Sequence, residues 1–199
     1  MNAIPTDTEK LKSRGLWLGF SYLKATGNDV QLLFRTFALP ELQKSAHNCL
    51  RVELATYYLS KWSKIVEPVL REQFQNLPSE ELSVIKQQLE DGALSALTML
   101  TDDAAERDNL LTTYRQYLAC ETKTSFWSRL VNREPKSSVW HRLRQRGFSI
   151  DISKVQSELD RFEEVTINGT VLFCMLDSLT VSQEQVESDH ESTFLQKAK

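Results

Sequence analysis

The chain has 199 residues, of which 41% are hydrophobic and 26% charged, and its 24 Lys and Arg against 27 Asp and Glu leave a formal net charge of −3. That is enough apolar chain to bury a core in one domain or two small ones, and with only 6 Gly and 5 Pro it is unlike a disordered or low-complexity polymer. No apolar run approaches the roughly 18 residues that span a bilayer, and the start MNAIPTDTEK lacks the basic and apolar blocks of a signal peptide.

The expectation is a soluble, cytoplasmic chain with no membrane contact. Cys49, Cys120 and Cys174 are odd in number and widely spaced, which suits reduced, mostly buried thiols rather than a disulfide framework or a CxxC metal site.

In chain order, residues 16–37 read LWLGFSYLKATGNDVQLLFRTF, in which two aromatic and β-branched stretches flank the turn formers of Lys24 to Asp29. This predicts a hairpin. Residues 39–48 have helix-forming composition and begin at Pro40, and a further strand is predicted at residues 50–56, where Leu50, Val52 and Leu54 alternate with Arg51 and Glu53.

Beyond Tyr57 the period lengthens: Leu59, Trp62, Ile65, Val66, Val69, Leu70 and Phe74 recur at three and four, predicting an amphipathic helix bent or restarted at Pro68. Pro78, Ser79, Glu80 and Glu81 signal the start of a helix to about Leu100, and Thr101, Asp102 and Asp103 start one to about Cys120. Shorter helices are expected at residues 125–132, 138–146 and 152–163. Asn168-Gly169 between β-branched runs is the strongest local hairpin signal, so the end of the chain reads as helix-turn-helix plus hairpin, a winged helix.

The fold class expected is therefore α+β. A strand-rich part occupies residues 1–60, a helical body with a winged-helix-like end residues 61–179, and a loose acidic tail residues 180–199.

Charge is unevenly placed. Between Glu121 and Gly147 seven cations, Lys123, Arg129, Arg133, Lys136, Arg142, Arg144 and Arg146, stand against two acids, a local balance of +5 in a chain of net −3. Phe126, Trp127, Trp140 and His141 are interleaved, and guanidinium groups for phosphates with flat rings for bases are what a single nucleic-acid strand engages. The candidate nucleic-acid-binding residues are accordingly Lys123, Arg129, Arg133, Lys136, Trp140, His141, Arg142, Arg144 and Arg146. The plainer alternative makes Trp127 and Trp140 core anchors and the arginines a solvated face.

Segment 152–164 is acidic through Glu158, Asp160, Glu163 and Glu164, which disfavours its entry into a major groove. Walker, GxGxxG, HExxH and GxSxG motifs are absent, and His47, His141 and His190 are far apart, so no catalytic residue, metal ligand or cofactor is assigned. Arg51 with Glu53 reads as a surface ion pair, and His47 as a structural histidine.

Three segments carry a family resemblance: Leu42-Gln43-Lys44-Ser45-Ala46-His47-Asn48-Cys49-Leu50-Arg51-Val52-Glu53-Leu54, Thr113-Tyr114-Arg115-Gln116-Tyr117-Leu118-Ala119, and residues 138–152, SVWHRLRQRGFSIDI. In this order they resemble the C-terminal region of filamentous-phage replication initiation proteins of the gene II and gene X type. The third departs from that pattern by extra residues between Gly147 and Ile150.

The resemblance implies a shorter product that binds and modulates without nicking. Phe34 stands where the family's tyrosine nucleophile would be wanted, and a phenyl ring has no oxygen to attack phosphorus. The function expected is a non-catalytic DNA-binding accessory of rolling-circle phage replication, in the host cytoplasm, with single-stranded or origin DNA, a replication initiator and a second copy of itself as partners. Two alternatives stand beside it. One is a protein-interaction or dimerisation module; the other is a winged-helix repressor reading bases through Lys154, Gln156, Ser157 and Arg161.

Overall fold

The computed structural model describes residues 7–37, 44–99, 104–119, 139–146, 148, 151–182 and 184–186. Among them there is no strand. The helices are α1 (Thr8–Thr36), α2 (Lys44–Gln73), α3 (Ser79–Thr98), α4 (Ala104–Ala119), α5 (Val139–Gln145), α6 (Ile152–Phe162) and α7 (Asn168–Thr180), with a π-helical turn, Glu163–Ile167, joining α6 to α7.

The expected α+β architecture is thus corrected to an all-helical one. Residues 16–37 fall inside α1, whose buried positions Leu11, Arg14, Gly15, Leu18, Gly19, Tyr22, Leu23, Thr26, Asp29, Val30 and Leu33 step by three and four. Asp7 caps its start, accepting from the amides of Glu9 at 2.9 Å and Lys10 at 3.3 Å. The turn formers that suggested a hairpin lie mid-helix because the helix and its neighbours satisfy them: the Thr26 hydroxyl donates to the Leu23 carbonyl of the same helix, Asp29 accepts from Tyr58 of α2, and Gly27 gives room to the Arg51 guanidinium.

Residues 50–56 lie inside α2. Leu50 and Leu54 share its buried face as an i, i+4 pair, a spacing that period-2 alternation also satisfies, and the helix runs on through Pro68. The expected domain boundary after residue 60 falls within this helix. Residues 165–173 belong to the π turn and α7, so the winged helix is replaced by continuous helix from α6 to α7. Helices α3, α4, α5 and α6 stand where the 3.6-residue period places them, whereas the helix expected at residues 125–132, the capping run at residues 101–103 and the tail beyond residue 186 lie outside the described residues.

α2 is the central helix, packing against α1, α3, α4, α5 and α7. Trp62, Tyr22, Tyr58, Leu54, Leu59 and Val66 make its surroundings fully dry. α1 crosses α3 so closely that a Cβ on Gly15 would stand 2.2 Å from the Leu89 carbonyl oxygen, and one on Gly92 2.2 Å from that of Lys12. α7 lies antiparallel along α1. Its C-terminal carbonyls at Ser178 and Leu179 accept from the buried Arg14 guanidinium at 3.2 and 3.3 Å, and further up the Tyr22 hydroxyl donates to the Val171 carbonyl at 3.3 Å.

Candidate functional site

Two features stand out: a polar cluster around Glu53, and the outer face of α7. Glu53 sits on the buried side of α2, and its carboxylate accepts from the Tyr117 hydroxyl of α4 at 2.6 Å. Arg142 Nε is 3.9 Å from one of its oxygens and Arg146 Nε 3.6 Å from the other. Arg142 also donates to the Thr113 hydroxyl at 3.2 Å and lies over the Tyr117 ring. Burial and the neighbouring carboxylate hold the Tyr117 phenol well above its usual range, so it remains a donor.

This cluster ties α5 to α2 and α4. Beside Tyr117, Tyr57 packs with its ring tilted at a centroid distance of 5.1 Å and donates to Glu163, which Lys61 also reaches at 2.8 Å. A cavity of about 210 Å³ opens beside Glu53, with Asn48, Cys49, Thr56, Glu106 and Asn109 in its wall. Among the described residues that line it there is no histidine, and no group of three or more His, Cys, Asp and Glu among the described residues could hold a metal ion.

The candidate nucleic-acid residues are distributed as follows. Lys123, Arg129, Arg133 and Lys136 lie outside the described residues. Trp140 is 3% exposed and packs against the rings of Phe148 and Phe162, which is the place of a core anchor. Arg142 and Arg146 reach inward to Glu53. His141, half-buried, sets its Nε2 3.1 Å from the Gln145 amide nitrogen, and Arg144 is exposed. Glu53, which reads in sequence as a surface ion partner of Arg51, is instead buried and held by Arg142 and Arg146, while Arg51 donates to the Leu23 carbonyl at 2.8 Å.

α7 departs from the pattern of every other long helix. Its inner side buries Ile167, Val171, Cys174, Met175, Ser178 and Leu179. Tyr58 and Thr170 both donate to Asp29 there, at 2.6 and 3.3 Å. Burial with Asp177 and Asp29 nearby pushes the Cys174 thiol up to about 12, which keeps it protonated and inert.

The outer side is apolar as well: Val165 is 65% exposed, Leu172 47%, Phe173 70% and Leu176 54%. Gly169 lies on the same stripe, and a Cβ built on it would meet nothing within 4 Å. Residues 165–176, VTINGTVLFCML, carry no charge, and residues 162–186 contain no Lys, Arg or His. The hairpin expectation hid this stripe; read at a period of 3.6, the same residues show a segment apolar on both sides.

No helix among the described residues is long and apolar enough to cross a membrane. No protein-family model matches the chain, and comparison with curated proteins and with solved structures likewise finds no match.

Proposed function

We propose that this chain is a protein-interaction module, a helical bundle that presents the outer face of α7 to a helix of a protein partner. The observation that carries the proposal is the stripe Val165, Gly169, Leu172, Phe173 and Leu176, which is exposed, apolar and uncharged. A soluble helix buries one stripe and wets the other; a helix apolar all round is one that is covered on both sides. Contiguous exposed apolar side chains mark interaction surfaces, and a large ring such as Phe173 is the kind of group that anchors one.

The nucleic-acid reading draws less support. Phosphate binding needs cationic heads in solvent, and withdrawing Arg142 and Arg146 to reach a polynucleotide would strand the buried Glu53 carboxylate. The stripe itself has Glu164 and Asp177 beside it and no cation of its own between residues 162 and 186, and the Lys61 ammonium near one end is taken up by Glu163, so little there draws phosphate or anionic lipid.

The test is affinity capture from the cell of origin with the full chain and with Phe173→Glu as bait, alongside titration of both with single-stranded and duplex oligonucleotides at low salt. A protein retained by the wild type and lost from Phe173→Glu is the expected result. Identical capture by both baits, together with salt-sensitive oligonucleotide binding that Phe173→Glu leaves intact, would overturn the proposal in favour of DNA binding.

A further inference from the structure

Resting on the reading of α7 as a docking face, the geometry points to the occupant: α7 of a second copy of this chain, laid antiparallel across a two-fold axis. A two-fold contact sets a surface against itself, so the surface must tolerate its own charges and complement its own shape. The α7 stripe does both in one register.

With the axis between Leu172 and Phe173, each Leu172 faces Phe173 of the other copy, and each Leu176 faces Gly169. Gly169 is a notch, with free space where its Cβ would stand, and Leu176 is an exposed knob about 10 Å along the helix from it. Two knobs thus enter two notches, symmetrically placed about the axis. The glycine lets the backbones approach as Gly15, Gly19 and Gly92 do where α1 crosses α3.

The charges agree. In this register the stripe sets no charge against another: Asp177, the one charge of α7, lies on its flank, and Val165 faces the hydroxyl of Thr180. A parallel pairing would hold the two Asp177 carboxylates at the same level, whereas the antiparallel one separates them by about 13 Å along the helix. A partner helix carrying cations would find nothing on residues 165–176 to hold them, whereas this chain's own α7 brings none.

The test is sedimentation velocity of the full chain over a range of concentrations, with Phe173→Glu and Gly169→Leu as variants and circular dichroism as the check on helix content. Gly169→Leu fills the notch at a position open within the monomer and removes a helix-breaking residue, so its fold is retained while the mate's Leu176 loses its place. A wild-type monomer–dimer equilibrium that each variant weakens about tenfold or more, at unchanged helix content, is expected.

A wild type that stays monomeric at every concentration overturns the second copy as occupant. The capture experiment with Phe173→Glu then decides separately whether α7 docks another protein. A dimer that survives both variants also overturns the inference, since it pairs through some other face. So does a monomer that co-sediments with phosphatidylglycerol vesicles through Phe173.

Discussion

The α1–α3 crossing and the outer face of α7 are two helix surfaces built on the same device, and only one of them is filled. At the crossing, added Cβ atoms on Gly15, Gly19 and Gly92 would stand 2.2, 2.5 and 2.2 Å from backbone carbonyl oxygens, while on α7 a Cβ at Gly169 meets nothing. A glycine inside a helix costs about 1 kcal/mol relative to alanine, a cost offset where two backbones must touch. Gly15 and Gly92 have that compensation within the chain, and Gly169 does not.

The pair Gly15→Ala and Gly169→Ala breaks or upholds the contrast. Gly15→Ala forces apart two backbones that have no flexible side chain to yield, and should destabilise by about 3 kcal/mol. Gly169→Ala, measured on dilute protein, should stabilise by about 0.5–1 kcal/mol. Urea melts read both, and equal effects would erase the distinction.

A smaller effect is expected from the cluster that closes the opposite side of α2. Glu53→Gln keeps the size of the side chain and an acceptor for Tyr117, and removes the charge that Arg142 and Arg146 face. Severing a fully buried pair costs about 3–5 kcal/mol; with the two arginine side chains 18% and 37% exposed, about 2 kcal/mol is the expected loss. If the arginines instead served a polynucleotide, Glu53→Gln would free them and oligonucleotide affinity would rise. With both arginines committed to Glu53, stability should fall with no gain in binding.

What the sequence reveals differs between these regions for a physical reason. α3 and α4 are legible because Leu82, Ile85, Leu89 and Leu97, and then Leu110 and Tyr114, repeat at helical spacing with charges between them. α1 is obscured because Thr26 and Asp29, polar and close to glycine, are buried in the core by hydrogen bonds that the folded helix and its neighbours supply. In α2 a seven-residue window cannot separate Leu50 and Leu54 as helical neighbours from the same residues as alternating strand positions.

At α7 the Asn-Gly pair carries a local preference for a turn, and packing against α1 overrides it. The stripe is nevertheless readable: grouping residues 165–176 by 3.6 puts Gly169, Leu172, Phe173 and Leu176 on one side and Val171, Cys174 and Met175 on the other. The Glu53 cluster is not, because Arg142 and Arg146 are far from Glu53 in sequence and their charge reads the same whether turned in or out.

The least of these effects sharpens the contrast between the two sides of α7 itself. Its inner side is pinned through Asp29, whose carboxylate accepts from Tyr58 and Thr170 and faces no cation among the described hydrogen bonds and ion pairs. Burial raises the Asp29 pKa, and the two hydrogen bonds only partly oppose it. The folded chain therefore holds this proton more tightly than the unfolded chain. Between the ordinary aspartate range and the raised value the native state binds more protons, so this group's contribution to stability falls as pH rises through that window.

In the variant Asp29→Asn, the amide oxygen still accepts from both hydroxyls, and no charge has to be desolvated. The variant should match the wild type below the window and exceed it modestly above, with the gap opening as pH rises, as read by thermal melts from acid to neutral pH. A wild type that gains on Asp29→Asn as pH rises would mean that the carboxylate is stabilised in its ionised form, and that α7 is held on its inner side by charge rather than by neutral hydrogen bonds and apolar contact.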